Sequence, residues 1–394
     1  MDVEALRKGT RGVAHRTHLN NAGAGLLSDR TLEVMVRQLR LEADIGGYEA
    51  ADVRRDAVEQ TYASLARLVG GQRSEIALFD NSSRAFNAAF YSMRWAEGDR
   101  ILTGRAEYGS NVLAYLQIAQ RYGVEVVVVP NDESGQIDTA ALESLIDERT
   151  KLIGVAHVPT GGGLVNPAAE VGRIARAAEV PYLLDGTQSV GQFPVDVEAI
   201  GADFLTGTGR KFLRGPRGTG FLWVRTAMLD RLDPHVNEIA ASVWDGERGF
   251  TWKDGATRFE TWERSYSNVL GLGAAVDQAL ELGLSEIAKR TFALGAELRE
   301  RLDGLRGVKT HDLGRVRCGI VTMKVDGVQS EDVVRRLADV DINVTATEAE
   351  ANQFDTEDRG VHPLVRLSPH YYNTTAELDR AVAAVEQIAQ RAAA

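Results

Sequence analysis

The feature that most constrains the fold is a regular alternation of short apolar runs with helical patterns between residues 75 and 225. The apolar runs have the length and character of strands buried on both faces of a parallel sheet. The predicted strands are 75–80, 100–104, 124–130, 151–158, 180–185, 202–208 and 219–225. The helical patterns between the earlier strands are 84–96, 109–122, 138–148 and 167–179. This alternation predicts an α/β fold with a mostly parallel, seven-stranded sheet between helices.

The pattern changes after about residue 230, where a second and smaller unit is expected. Residues 271–305 are typical of one long helix, and strand-like runs at 319–325 and 342–346 flank a helical segment at 330–340. The chain has 394 residues, which is longer than one typical domain. We therefore predict an N-terminal arm over 1–30, a large α/β domain over 31–255 and a small α+β domain over 256–394.

Composition and charge narrow the classes of function. The net charge of −11 and the pI near 5.3 disfavour a non-specific nucleic-acid binder, which needs a basic surface to displace counterions from phosphates. Cys318 is the only cysteine, which excludes an intrachain disulfide, and its strand-like setting predicts a small buried side chain. The sequence has no signal-peptide pattern and no apolar run of about 20 residues, so we expect a cytoplasmic protein.

Polar side chains follow the predicted strands, at the edge where open α/β sheets bind ligands. Ser82 and Ser83 fall at the start of a helix, where free backbone N–H groups and the helix dipole favour an anion. The other candidates at these strand ends are Tyr108, Thr160, Asp185, Gln188, Thr208, Arg210 and Lys211. Each residue alone is more commonly structural, as a helix cap or a packing residue, so the function depends on the ordered set.

The sequence carries neither a nucleotide motif nor a metal motif. The segment "GTGRKF" around Lys211 lacks the glycine spacing and the Ser or Thr of a Walker loop. The seven histidines are dispersed and one cysteine cannot make a thiolate site, so no metal is expected. A lysine, an aspartate and an anion site at neighbouring strand ends instead suit pyridoxal 5'-phosphate (PLP). Its aldehyde forms a Schiff base with an amine, its pyridine nitrogen binds a carboxylate, and its phosphate binds a helix N-terminus.

Five segments resemble the class V aminotransferase superfamily of fold type I PLP enzymes, over nearly the whole chain. They are "AEYGSN", "LLDGTQSVGQFPVDV", "ADFLTGTGRKFLRGPRGTGFLWV", "RFETWERSYSNVLGLGAAV" and "LVRLSPHYYNT". Within the superfamily, "LEADIGGYEAADV" and "RGPRGTGFLWV" resemble the branch of isopenicillin N epimerase and of the C–S lyase of ergothioneine biosynthesis. The resemblance also implies a homodimer with active sites at its interface, where Trp262 and Glu263 would approach the partner's cofactor.

The resemblance implies a role for each candidate residue. Lys211 would form the Schiff base, and Asp185 would bind the pyridine nitrogen. Arg366 in "VRLS" would bind the α-carboxylate of an amino-acid substrate, for which a bidentate guanidinium is well suited. The other implied contacts are Gln188 and Thr160 with the ring hydroxyl, Tyr108 with the ring face, and Ser82, Ser83, Thr208 and Arg210 with the phosphate.

Two departures from the cysteine desulfurases of this superfamily shape the predicted function. The loop "TATEAEANQFDTEDRGVHPL" lacks the cysteine that serves those enzymes as nucleophile, which predicts that the chain is not a persulfide-forming desulfurase. Glu263 stands where they have a phosphate-binding threonine. We therefore expect a lyase that abstracts the Cα proton of a substituted cysteine and eliminates its β sulfur substituent, leaving pyruvate and ammonia.

Three alternatives to this lyase stay open from the sequence. An amino-acid racemase or epimerase of the isopenicillin N epimerase type would return the proton to the opposite face, where Tyr108 lies by analogy. An aminotransferase would use the same residues, and a catalytically silent cofactor-binding or scaffold protein is disfavoured by the presence of Lys211, Asp185 and Arg366 together. Resemblance to a branch with mixed chemistry does not determine the reaction.

Overall fold

The computed structural model describes residues 1–393, whose strands form two main sheets and two short pairs. The helices are α1 Val3–Lys8, α2 Asp29–Ile45, α3 Gly47–Val53, α4 Arg55–Val69, α5 Ser82–Phe90, α6 Gly109–Tyr122, α7 Thr139–Leu145, α8 Ala168–Ala177, α9 Val197–Ile200, α10 Tyr266–Leu282, α11 Leu284–Asp303, α12 Ser330–Ala338, α13 Gln353–Arg359 and α14 Thr375–Ala393. The strands are β1 Thr17–His18, β2 Ile76–Phe79, β3 Arg100–Gly104, β4 Glu125–Val129, β5 Thr150–Ala156, β6 Tyr182–Asp185, β7 Phe204–Thr208, β8 Gly220–Val224, β9 Ser242–Trp244, β10 Phe250–Trp252, β11 Val308–Thr310, β12 Val321–Val325, β13 Ile342–Asn343, β14 Thr345–Ala346 and β15 Val365–Leu367.

The large sheet has seven strands in the order β2-β8-β7-β6-β5-β3-β4. Strand β8 runs antiparallel to β2 and β7, and the remaining four pairs are parallel. The predicted α/β fold with a mostly parallel, seven-stranded sheet is confirmed. For each strand of this sheet, the predicted first and last residues lie within two residues of the observed ones. The pattern was readable because a strand covered on both faces must be apolar along its whole length.

Helices cover both faces of this sheet and define two apolar layers. Successive side chains of a strand point to opposite faces, so Leu184 packs with α4 and α8 while the adjacent Leu183 packs with α5 and α6. Because the parallel strands run in the same direction, their carboxyl ends all lie at the same edge of the sheet. The loops after β5, β6 and β7 emerge side by side at that edge, which is where the candidate residues lie.

A smaller antiparallel sheet with the order β11-β12-β15-β14 lies in the C-terminal part of the chain. Arg366 is the middle residue of β15 and is paired with Thr322 on one side and Thr345 on the other. The N-terminal segment reaches this part of the molecule, because β1 pairs in parallel with β13 and Asn20 forms a bridge with Ser368. The division into 1–30, 31–255 and 256–394 stays a prediction, although the two main sheets fall in the second and third ranges.

Two predicted helices are wrong in their extent. The helix predicted over 84–96 is α5, which ends at Phe90. The segment 271–305 is not one helix but parts of two, α10 and α11, which are separated at Gly283. Gly283 has a φ of 81°, a left-handed conformation that interrupts the helix and that glycine adopts without steric cost. The apolar periodicity continues across the break because both helices bury a face, so hydrophobicity alone did not reveal the turn.

Three expectations from composition can be set beside the structure. Cys318 is fully buried, as its strand-like setting predicted. Among residues 1–393, none of the helices combines the length and the apolar character that a membrane span requires. In the same residues, no group of three or more His, Cys, Asp or Glu side chains is placed to hold a metal ion.

Gly172 in α8 should be intolerant of a side chain. A Cβ atom at this position would overlap the carbonyl oxygen of Ile200, where α8 packs against the end of α9. We expect Gly172→Ala to lower the free energy of unfolding by about 1–3 kcal/mol, measured by urea unfolding of the holoenzyme. The control is Gly47→Ala, because no atom lies within 4 Å of the corresponding Cβ and the residue is exposed. Equal stability of the two variants would contradict this packing.

Candidate active site

The candidate residues converge where β5, β6 and β7 end. Asp185 is the last residue of β6, Thr208 is the last residue of β7, and Thr160 lies in the loop after β5. Lys211 follows three residues after β7, and Arg366 comes from the smaller sheet. The site is therefore built at the junction of the two sheets, from residues far apart in the chain.

Asp185 is a buried carboxylate with three donors in the structure. Asn111 Nδ2 donates to Asp185 Oδ2 at 3.0 Å. The backbone N–H of Thr187 donates to Oδ1 at 2.9 Å, and the Thr206 hydroxyl donates to the same oxygen at 3.4 Å. These donors hold the carboxylate in one orientation.

Lys211 is buried among other basic side chains. Burial lowers its pKa well below the ordinary value, and the positive charges of Arg210 and Arg366 lower that pKa further, against an opposing effect of Asp185. A neutral amine is favoured at this position as a result. A neutral amine is both a nucleophile for an aldehyde and a base for a carbon-bound proton.

Arg366 and Gln188 meet at Thr160. Arg366 donates from one terminal nitrogen to the Thr160 carbonyl oxygen at 2.8 Å and to its hydroxyl oxygen at 2.7 Å. Gln188 Nε2 donates to the same hydroxyl at 3.3 Å and to the carbonyl oxygen of Ala22 at 3.2 Å. Since the Thr160 oxygen already accepts twice, its own proton is free to be donated to a ligand.

Burial also lowers the pKa of Arg366 to about 10, with a further contribution from Arg210. The guanidinium nevertheless stays charged at neutral pH. Within the part of the chain that the structure describes, its Nε is buried without a hydrogen-bond partner, and so is Gln188 Oε1. Buried polar atoms without partners are costly, so these two mark a place where a polar ligand fits.

The start of α5 lies beside the loops after β6 and β7. Asn81 caps this helix by accepting from the backbone N–H of Arg84 at 2.9 Å, which leaves Ser82 and Ser83 in the first turn. The Ser82 hydroxyl is hydrogen-bonded to the hydroxyl of Thr187. The first turn of a helix of nine residues presents free N–H groups and the positive end of its dipole. An anion fits here.

Two of the predicted phosphate contacts are partly occupied by bonds within the chain. The Thr208 hydroxyl donates to the carbonyl oxygen of Thr219 at 3.0 Å. Arg210 donates to the carbonyl oxygen of Gly23 in the N-terminal arm.

Tyr108, the predicted contact of the ring face, directly precedes α6 and is half-buried. The backbone of Glu350 lies against the adjacent Gly109. All nine predicted cofactor contacts and Arg366 thus lie on segments that surround this edge of the sheet.

These groups fit PLP on grounds of chemistry and geometry. A buried neutral lysine suits an aldehyde, a buried carboxylate with fixed orientation suits a pyridine nitrogen, and a helix N-terminus suits a phosphate. Three residues of this site were missed from the sequence, namely Glu107, Asn111 and Thr187. Thr187 could have been found as part of "DGTQS", but Asn111 and Glu107 lie before or within a helix and reach Asp185 only through the fold.

Comparison with known proteins gives the family. The family model described as aminotransferase class V matches residues 17–381. A protein named probable cysteine desulfurase from Methanothermobacter thermautotrophicus is 30% identical over 335 residues, 84% of each chain. A protein named cysteine desulfurase from Haloferax volcanii is 29% identical over 84% of this chain and 78% of its own.

Solved structures agree in fold. The apo structure of a cysteine desulfurase from Thermococcus onnurineus superposes with a TM-score of 0.92, at 25% identity, over 98% of both chains. A cysteine desulfurase from Escherichia coli superposes with a TM-score of 0.92 over 99% of both chains. At 22% sequence identity, this similarity shows the shared fold alone. The expected fold type I architecture and the expected cofactor, PLP, are confirmed.

The predicted reaction is wrong. The similar proteins are named cysteine desulfurases, which overturns both the assignment to a β-eliminating C–S lyase or an epimerase and the exclusion of desulfurases. The resemblance to the isopenicillin N epimerase branch finds no support in these comparisons. The error came from treating one loop thiol as indispensable. The absence of one loop cysteine is a single local feature, whereas the similarity to proteins with this name extends over 84% of the chain.

The match over most of the chain and the 30% identical relative lead to one conclusion. The chain belongs to the class V aminotransferase family and is a PLP-dependent enzyme.

Proposed function

We propose that this enzyme removes the sulfur of L-cysteine and leaves alanine. The reaction converts cysteine and a thiol into alanine and a persulfide of that thiol, which balances all atoms. The names of the relatives support this substrate. The observation that carries the proposal is the cross-sheet pair of Lys211 and Arg366. It sets a buried neutral amine beside a buried guanidinium whose Nε lacks a partner.

The proposed roles of the residues follow from their contacts. Arg366 binds the substrate carboxylate through its unpartnered Nε, and Thr160 holds the guanidinium in place. When bound, PLP withdraws electrons from the substrate Cα and so weakens the bonds around it. Lys211 Nζ would hold the cofactor through its aldehyde until the substrate amino group takes its place, and the released neutral amine would then remove the Cα proton and later return a proton to carbon.

The remaining residues hold the cofactor in this proposal. Asp185 accepts from the pyridine nitrogen, and Tyr108 lies against the ring face. Gln188 and Thr160 contact the ring hydroxyl, for which the Thr160 proton is available. Ser82, Ser83, Thr208 and Arg210 contact the phosphate together with the first turn of α5.

The thiol that receives the sulfur must be considered separately. Cys318 is the only cysteine of the chain and is 0% exposed. Burial raises the pKa of its thiol to about 11, so little of the nucleophilic thiolate exists at neutral pH. An assay of this enzyme should therefore contain an added thiol, such as dithiothreitol, as the sulfur acceptor.

The function is tested with L-cysteine, dithiothreitol and purified holoenzyme, measuring alanine, sulfide and pyruvate. We expect alanine and sulfide in equal amounts. Cys318→Ala should form alanine at the rate of the unchanged enzyme when the thiol is added. Pyruvate and ammonia without alanine would contradict the proposed reaction, and loss of alanine in Cys318→Ala would identify Cys318 as the acceptor.

Replacing Arg366 by lysine should weaken substrate binding specifically. Lysine keeps the positive charge but loses the planar pair of donors, so we expect kcat/KM for cysteine to fall roughly 10–100-fold, mainly through KM. Steady-state kinetics measure this. Arg335→Lys on the exposed face of α12 is the matched control and should leave both constants unchanged. An unaltered KM in Arg366→Lys would contradict carboxylate binding by this residue.

Lys211 should be the residue that is covalently linked to PLP. Borohydride reduction of the holoenzyme should fix the cofactor to the peptide that contains Lys211, as detected by mass spectrometry. Lys211→Ala should give no such adduct and no alanine, whereas Lys289→Ala, at an exposed position of α11, should behave as the unchanged enzyme. An adduct on another lysine would overturn the assignment.

We also propose that the enzyme is a homodimer. A cleft of about 980 Å³ lies next to the start of α5 and is lined in part by Arg84, His235 and Glu263. Large apolar side chains are exposed nearby, on and around the β9–β10 hairpin, including Ile239 at 69% and Trp244 at 71%. Contiguous exposed apolar side chains are typical of a surface covered by a partner, and a second copy of this chain is the partner we propose.

The dimer is tested by light scattering coupled to size-exclusion chromatography. The unchanged enzyme should have twice the mass of the chain, 42.9 kDa. Trp244→Ser with Phe250→Ser should shift the equilibrium toward monomer, because both rings are exposed in the single chain and removing them does not disturb its core. Val340→Ser, at an exposed apolar position after α12, is the control. A monomeric native enzyme would contradict the proposal.

A further inference from the structure

Glu107 is a buried carboxyl group next to Asp185 that the proposed reaction does not use. Its side chain is only 3% exposed and lies at the edge of the large sheet, between β3 and α6. Its Oε1 accepts from the backbone N–H of Tyr108 at 2.8 Å and from Asn111 Nδ2 at 2.9 Å. Its Oε2 is 3.2 Å from the hydroxyl oxygen of Thr103.

Asn111 joins the two carboxyl groups. The same Nδ2 that donates to Glu107 Oε1 also donates to Asp185 Oδ2 at 3.0 Å, so each of its two hydrogens has one acceptor. The two acceptor oxygens are therefore near one another in a site without access to water. Two negative charges so close together in a low dielectric repel strongly, and such a pair binds one proton.

The surroundings decide which carboxyl group carries that proton. Asp185 has two further donors, from Thr187 and Thr206, and its charge acts on the buried Lys211. The titratable groups that face Glu107 are Asp185 and Tyr182 on β6 and Tyr115 on α6, none of which is a cation. Thr103 faces Oε2 with a hydroxyl that can accept a hydrogen bond as well as donate one.

We propose that Glu107 is a positioning residue, held as a neutral carboxylic acid, which through Asn111 fixes the Asp185 carboxylate toward the pyridine nitrogen of PLP. This rests on the proposed role of Asp185. Burial raises the pKa of Glu107 to about 8, and the charge of Asp185 contributes to that rise. A neutral Glu107 leaves Asp185 as the single negative charge at this end of the cofactor.

Glu107→Gln mimics the neutral acid and gives the first test. Glutamine keeps Oε1 as an acceptor for Tyr108 and Asn111 and offers Nε2 to Thr103. In the unchanged protein, the contribution of Glu107 to stability falls as pH rises from about 4.5 to about 8, because unfolding releases a proton from Glu107 over that range. The urea midpoint of Glu107→Gln holoenzyme should therefore exceed that of the unchanged holoenzyme by an amount that grows to about pH 8 and then levels off.

Glu75→Gln is the matched control. Glu75 is also buried, but its carboxylate accepts from Gln72, Trp223 and Thr226, and these hydrogen bonds lower its pKa below the ordinary value. Because its pKa lies below the ordinary value, Glu75 is ionised in both the folded and the unfolded chain above about pH 6, so Glu75→Gln should lower the urea midpoint by a constant amount between about pH 6 and pH 8. A flat difference for Glu107→Gln, like that of Glu75→Gln, would overturn the neutral state of Glu107.

Positioning is tested by retention of the cofactor. Glu107→Met has similar size but no acceptor for Asn111, so the holoenzyme should lose PLP about tenfold faster at neutral pH than Glu107→Gln, the effect of one lost hydrogen bond. Spectrophotometry during dialysis against a PLP scavenger measures the rate. Equal rates for the two variants would overturn positioning. Neither measurement uses a substrate, so failure of the proposed desulfurase reaction would leave both outcomes interpretable.

A measurement on the unchanged enzyme guards against variants that do not fold. Infrared spectra of holoenzyme containing 13C-labelled glutamate should show a protonated glutamate carboxyl band near neutral pH that disappears above about pH 8. The label separates Glu107 from Asp203, a partly buried aspartate whose pKa is also raised. Absence of a label-sensitive band at neutral pH would overturn the proposal.

Discussion

The gathering of three basic side chains, two of them buried, at one edge of the large sheet is the constraint on which the active site depends. Burial lowers the pKa of Arg210, Lys211 and Arg366, and the charge of Arg210 lowers the pKa of Lys211 and Arg366 further. Burying cations is costly unless carbonyl or carboxylate oxygens accept from them. Here Gly23 and Thr160 provide carbonyl oxygens, and Lys211 avoids the cost by being neutral. In the proposed function, the phosphate of the cofactor and the carboxylate of the substrate would complete the compensation.

This compensation requires all three parts of the chain. The carbonyl of Gly23 belongs to the N-terminal arm, Thr160 to the large sheet and Arg366 to the smaller sheet. A second buried arginine, Arg214, joins the same parts: it donates to Thr10, to the carbonyl oxygen of Leu26 and to the hydroxyl of Tyr371. The backbone N–H of Arg214 also bonds the carbonyl oxygen of Lys211. Docking of the arm and the smaller sheet therefore helps to place Lys211, so fold and site are energetically coupled.

Burial also acts on the two neighbouring carboxyl groups of the site, those of Asp185 and Glu107. Asp185 has donors on three sides, whereas Glu107 shares one of those donors and faces phenol rings. Burial and the neighbouring carboxylate raise the pKa of Glu107 above the ordinary value. The same physical effect, desolvation, thus favours a neutral base at Lys211 and a neutral acid at Glu107.

The sequence by itself determined the seven strands, the sheet class and the cofactor. Strands buried on both faces must be apolar, and a parallel sheet must bring the residues after its strands to one edge, so Asp185 and Lys211 were recognisable as a set. Only the tertiary structure decided what depends on contacts between distant segments. The Glu107–Asn111–Asp185 chain and the meeting of Arg366 with Thr160 each lack a local pattern. The reaction was misjudged for a related reason: a missing loop cysteine is a local observation. The chemistry resides in groups that folding brings together around a shared cofactor.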